Sequence, residues 1–98
     1  MDSSSFNHFD LWYYALEHND PVVREVAEEE VSTQIDHPSE YRQRKWAESA
    51  LKRYGHPPSI SDWQTDPIMK VFWKKHPSDA SEKQRQMTAL AEAIKKSK

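Results

Sequence analysis

Every proline in this chain follows an aspartate, a histidine or another proline: Asp20-Pro21, His37-Pro38, His56-Pro57-Pro58, Asp66-Pro67 and His76-Pro77. Proline inside a helix removes a hydrogen bond, but it fits the first helical position, and the residue before it avoids the helical region. Aspartate is a favoured N-cap. The five junctions therefore cut the chain into helix-sized pieces. Between them stands one glycine, Gly55. Hairpin-rich β folds and glycine-rich phosphate loops both need more than that. The punctuation predicts an all-α fold.

The first piece, Phe6 to Leu16, holds five of the eleven aromatic residues. At about 100° per residue, Phe6, Phe9, Trp12, Tyr13 and Leu16 fall within an arc of roughly 120°. Leu11 and Tyr14 point elsewhere, so this helix is expected to sit between neighbours or to offer its second side to a partner. Ser5 is its expected cap. A second helix runs from Pro21 to about Gln34. Val22, Val23, Val26, Ala27, Val31 and Ile35 form its expected buried side, and Glu25, Glu28 and Glu29 its solvated side. Glu30 falls within the apolar arc and needs an edge position or a cation.

Asp36 or Ser39 caps a third helix, Glu40 to Tyr54, which ends at Gly55. Trp46, Ala47, Ala50, Leu51 and Tyr54 form its apolar face. Arg42, Lys45, Lys52 and Arg53 share one polar side, and Arg44–Glu48 and Glu48–Lys52 are helix-spaced pairs. Ser59 to Gln64 reads as one turn, with Trp63 on the core. A short helix, Pro67 to about Lys75, is mostly buried through Ile68, Met69, Val71, Phe72 and Trp73. The last helix runs to about Lys96 on a thin stripe of Ala80, Met87, Leu90, Ala91 and Ile94, which predicts weak anchoring. The expected architecture is a compact irregular bundle of four main helices plus one short helix, a single domain over 1–98 with 1–5 flexible and the last residues frayed. Trp12, Trp46 and Phe72 are its expected buried aromatics.

The run Ala15-Leu16-Glu17-His18-Asn19-Asp20-Pro21-Val22-Val23-Arg24-Glu25-Val26-Ala27 resembles the helix–turn–helix junction of HEAT-like repeats, with their Asp-Pro-x-Val-Arg-x-x-Ala signature. The likeness covers one junction and about thirty residues, and no second copy follows, whereas stacked repeats need several units. What it implies is an αα-hairpin and, by extension, a protein-binding surface.

Charge is divided along the chain. Residues 1 to 40 carry ten acids and one base, Arg24, while residues 41 to 98 carry thirteen bases and six acids. Either the two parts fold against each other and neutralise, or they leave a dipolar surface for a charged partner or a second copy. There is no cysteine, so neither a disulfide framework nor a thiolate zinc site is available, and the expected location is cytoplasmic. No apolar run approaches the ~20 residues that span a bilayer, and no basic-then-apolar start suggests a signal peptide. Neither membrane attachment nor a leader is expected.

No motif names a reaction. His8, His18, His37, His56 and His76 do not cluster in sequence, and no serine stands in a nucleophile elbow. No enzyme, metal or cofactor is expected. The leading expectation is a small non-catalytic protein-binding module, acting as an adaptor, inhibitor or regulatory subunit by covering a surface. Its candidate contact residues are Arg42, Lys45, Lys52 and Arg53 on the third helix, Glu25, Glu28 and Glu29 on the second, and Tyr14 on the first. The second and third helices are expected to form an antiparallel hairpin that brings both signs of charge together. The alternative is nucleic-acid binding through the same four basic residues, with the aromatic and basic run Lys70 to His76 in support. Pairing of two copies through their oppositely charged halves is a further expectation.

Overall fold

Both Asp-Pro junctions start helices. Asp20 Oδ1 accepts the backbone N–H of Val22 at 2.9 Å, and Asp66 Oδ1 accepts that of Met69 at 2.8 Å, with proline at the first helical position each time. The computed structural model describes residues 7–36 and 39–97. It contains α1 (His8–Leu16), α2 (Pro21–Ile35), α3 (Glu40–Tyr54), α4 (Ile60–Thr65), α5 (Pro67–Lys75) and α6 (Ala80–Lys96). The described residues are 80% helical, with no strand among them. The all-α class holds, with one more helix than expected.

That extra helix is α4, read in the sequence as a single turn. A capping box makes it: Ser59 Oγ accepts the N–H of Asp62 at 3.2 Å, and Asp62 Oδ2 accepts the N–H of Ser59 at 2.9 Å. At the other end of the chain, α1 is capped by Asn7, whose Oδ1 accepts the N–H of Phe9 at 3.0 Å. The Nδ2 of Asn7 also donates to the carbonyl of Lys45, so one side chain both starts α1 and ties it to α3. Ser5 and Phe6 lie outside the described residues, as do His37 and Pro38. Ser39, not Asp36, caps α3. Gly55 ends α3 at φ 78°, and its N–H bonds the Leu51 carbonyl; the left-handed conformation is why glycine stands there.

The short helix α5 is the centre of the fold, packed against α1, α2, α4 and α6. Ile68, Met69, Val71 and Phe72 are buried accordingly, while Trp73 turns outward. Helix α3 packs along α6 and touches α1; α2 packs on α1 and α5. The expected α2–α3 hairpin is not among the extensively packed pairs. Trp46 and Trp63 meet edge to face at 6.0 Å, and Phe9 stacks parallel to Trp46 at 6.1 Å. The Trp63 indole donates to Thr88 Oγ1 at 2.8 Å, and Thr88 donates on to the carbonyl of Pro58, so the burial leaves no stranded donor. Trp12 is only half-buried, unlike Trp46 and Phe72.

The stripe on α6 anchors it better than expected. Ala80, Gln84, Met87, Ala91 and Ile94 are buried at alternating steps of four and three, and small residues on both α3 and α6 allow a close approach. One member is discordant. The Nε2 of Gln84 is buried with no hydrogen-bond partner among the described residues. An unpaired buried amide costs about 1–3 kcal/mol. Gln84→Met, which keeps the length and helix propensity, is expected to raise stability by about 1 kcal/mol in urea unfolding; an unchanged or lower midpoint would show that the amide is satisfied in solution.

Charge division resolves mainly as mutual neutralisation. Four ion pairs and one histidine contact bridge distant segments: Asp10–Lys52 at 2.6 Å, Glu17–Arg53 at 2.7 Å, Glu28–Lys74 at 2.6 Å and Asp36–Lys75, with His76 Nε2 2.8 Å from Asp36 Oδ1. Each joins an acid before residue 40 to a base after it. The expected Arg44–Glu48 and Glu48–Lys52 pairs are not formed: Glu48 faces Lys45 at 3.7 Å, and Lys52 reaches Asp10 instead. The bridging pairs are exposed, so each adds little to stability. Their common direction fixes which segments meet.

Candidate functional site

The outward side of the α1–α2 hairpin follows from how α2 sits. On a helical projection its buried residues, Ala27 and Val31, point toward α1 and α5. Val22 and Val26 lie about 100–180° away from them. They are 64% and 55% exposed, and α1 adds Leu11 at 52% and Tyr14 at 69%. This corrects the expectation that Val22 and Val26 belong to the core. The apolar arc of α2 is wider than the strip its neighbours can cover, and Val23, Ala27, Val31 and Ile35 take the inner part.

Carboxylates border this face. Glu25 and Glu29 are exposed and form no ion pair among the described residues, and the same holds for Glu30, which stands at the edge of the arc. An open groove along α2 is lined by Pro21, Glu25, Glu28, Glu29 and Thr33. Two cations reach it, both occupied. Lys74 pairs with Glu28, and the Arg24 guanidinium donates to the carbonyls of His18 and Asn19. Tyr14 and His18 meet T-shaped at 6.0 Å.

The other candidate residues divide into two groups. Lys52 and Arg53 are committed to α1 through Asp10 and Glu17, and Arg53 also lies over the rings of Tyr13 and Tyr54 at 4.9 and 5.6 Å. Arg42 and Lys45 stand at the far end of α3. Arg42 rims a cleft of about 520 Å³ between the ends of α2 and α5 and the starts of α3 and α6. Its floor is Phe9, Trp46 and Phe72, and its rim also carries Lys83, Asp79 and Glu82. Lys83 lies 5.6 Å over the Phe72 ring, and partial burial lowers the pKa of its ammonium. The rim is mixed in sign, and the cleft can seat an apolar side chain. The basic side of α3 is therefore no continuous stripe.

One polar cluster was not anticipated. Asp66 is fully buried, and beyond capping α5 its Oδ2 accepts the hydroxyls of Tyr13 at 2.7 Å and Tyr54 at 2.8 Å. Tyr13 in turn accepts the Trp46 indole N–H at 3.3 Å. Burial raises the carboxyl pKa of Asp66 above its usual range, against the pull of its three hydrogen bonds and of Arg53. Burial and the neighbouring carboxylate push both tyrosines up. The cluster holds α1, α3 and α5 together, with Asp66, Tyr13 and Trp46 buried and Tyr54 partly so. The only sequence signal was the Asp66-Pro67 cap.

Among the described residues, no three His, Asp or Glu side chains stand close enough to hold a metal ion, and no helix is long and apolar enough to cross a membrane. Comparison with protein-family models, characterised proteins and solved structures finds no match for this chain. The site's own chemistry is the guide to function.

Proposed function

We propose that this chain is a non-catalytic protein-binding module, an adaptor, inhibitor or regulatory subunit that works by covering a surface of its partner. The observation behind this reading is the outward face of the α1–α2 hairpin. Leu11, Tyr14, Val22 and Val26 stand in solvent on one supersecondary unit while the core is filled by others. Grouped exposed apolar side chains rimmed by polar ones mark interaction surfaces. The function needs neither metal nor cofactor, and a chain without cysteine is suited to the cytoplasm.

Nucleic-acid binding through Arg42, Lys45, Lys52 and Arg53 has less support. Two of those four are neutralised within the molecule, and the free carboxylates of α2 repel a polyanion. Pairing of copies through opposite charges is weakened by the same internal pairing.

The test is capture from source lysate, with and without nuclease, using wild type beside a Leu11→Gln/Val26→Gln variant. A protein retained after nuclease and lost with the variant is expected. Material released by nuclease, together with micromolar binding of short DNA or RNA at about 50 mM salt, would favour the nucleic-acid reading instead.

A further inference from the structure

We infer that the outward face of the α1–α2 hairpin takes a cationic amphipathic helix from its partner. This rests on the protein-binding reading above and names the partner's chemistry. On α2, Val22, Val26, Glu29 and Thr33 fall within an arc of about 60°, with Glu25 on one margin and Glu30 on the other. On α1, Leu11 and Tyr14 share a similar outward arc. Since α1 packs directly on α2, the face combines the exposed Leu11, Tyr14, Val22 and Val26 with the carboxylate of Glu29, and Glu25 and Glu30 stand at its margins.

Three further observations give the face its direction. First, Glu25, Glu29 and Glu30 form no ion pair among the described residues, although Glu30 lines one pocket with Arg42 and Lys45. Glu25 and Glu29 are one turn apart with like charge, an unfavourable spacing, and the one base of α2, Arg24, is drawn off to the loop carbonyls of His18 and Asn19. Second, valine is a poor helix former in an exposed position, so Val22 and Val26 add little to α2 in the free protein, where they are bare. Third, every described element is a helix, so no strand edge is offered for β-addition. A face made by two packed helices suits a third helix laid along it, with the partner carrying an apolar strip at i, i+3, i+4 and i+7. Lysine or arginine must flank that strip to meet Glu25, Glu29 and Glu30. Anionic lipid and nucleic acid are disfavoured by the same charges.

The test uses a synthetic amidated peptide of about five helical turns, built from leucine and lysine with leucine on one face. It is titrated by calorimetry into the full chain at about 50 and about 300 mM salt. A glutamate-for-lysine peptide and a scrambled peptide of the same composition serve as controls. Micromolar binding of the cationic peptide alone is expected. Leu11→Gln/Val26→Gln should weaken it about tenfold or more, because the removed side chains are the buried contact. Glu25→Gln/Glu29→Gln/Glu30→Gln should weaken it by about three- to tenfold at low salt and less at high salt. Both variants alter exposed positions, and unchanged melting checks that they fold.

Equal binding of the glutamate peptide overturns the inference, as does equal binding of the scrambled one. So does undiminished binding by either variant, or no binding at about 1 mM peptide, the weak end of the affinity scale. A self-association abolished by Leu11→Gln/Val26→Gln would assign the face to a second copy, and would overturn it too. If the peptide fails while lysate capture still depends on Leu11 and Val26, the partner's chemistry is wrong and the protein-binding reading stands. If both fail, both fall.

Discussion

Replacing Trp63 with alanine is expected to cost about 3–5 kcal/mol, a large part of the stability of a domain this size. Trp63 is fully buried, meets Trp46 edge to face, and carries the hydrogen-bond chain to Thr88 and Pro58. It also lies on a helix of six residues, too short to persist without tertiary contacts. Its loss therefore leaves a cavity, strands the Thr88 hydroxyl's acceptor side and releases α4 together. Trp46→Ala should cost a similar amount, since it removes the centre of the aromatic group formed with Phe9, Trp63 and Phe72. Trp12→Ala should cost markedly less, because half-burial leaves less area to lose. Urea unfolding of the three variants checks the order; a Trp63→Ala midpoint near wild type would show that α4 is not part of the cooperative core.

Asp66→Ala is expected to be about as damaging, at about 3–5 kcal/mol. It removes the cap of α5 and leaves the buried hydroxyls of Tyr13 and Tyr54 without their acceptor. Asp66→Asn keeps the shape and one carbonyl oxygen, and it isolates the charge. Burial raises the folded pKa of Asp66 above its unfolded value. The folded state thus holds the proton more tightly, and stability from this group is full below the unfolded pKa of about 4 and declines as pH rises through the folded value. The advantage of wild type over Asp66→Asn should be largest near pH 3 and shrink upward. Asp36 and Asp62 titrate the opposite way, their pKa values lowered by Lys75 and by the Ser59 backbone respectively, and they cancel in that difference. At the alkaline end, the raised tyrosines make the fold lose stability above about pH 10, where unfolded tyrosine ionises first. An advantage over Asp66→Asn that grows with pH would contradict the assigned environment.

What the sequence made legible was local. The caps Asp20 and Asp66, the glycine stop at Gly55, and the limits of α3 and α5 each depend on residues within a turn of one another. The buried side of α2 did not follow, because its valines and alanine spread over more than the arc a neighbour covers. Only the position of α5 decides that Ala27 and Val31 face inward and Val22 and Val26 outward. Lys52 has Glu48 one turn away on the same helix, yet it pairs with Asp10, 42 positions distant. The Tyr13–Asp66 bond spans 53 positions and no spacing rule reaches it. The candidate face is half visible in the sequence: Leu11 and Tyr14 stand out by direction and Glu25 and Glu29 by charge, whereas the apolar arc of α2 places Val22 and Val26 in the core.

The one-way direction of the four bridging ion pairs bears on how the chain assembles. During synthesis the segment ending at Asp36 emerges first, as an almost uncompensated polyanion whose counter-charges on α3 and α5 are still to be made. Helices α1 and α2 can coil early, but their acids meet Lys52, Arg53, Lys74 and Lys75 only later. The molecule is in effect a complex of an acidic fragment with a basic one, joined through residues 37 and 38. A nick at that join would turn its folding into a bimolecular association, fast at low ionic strength and slowed by salt.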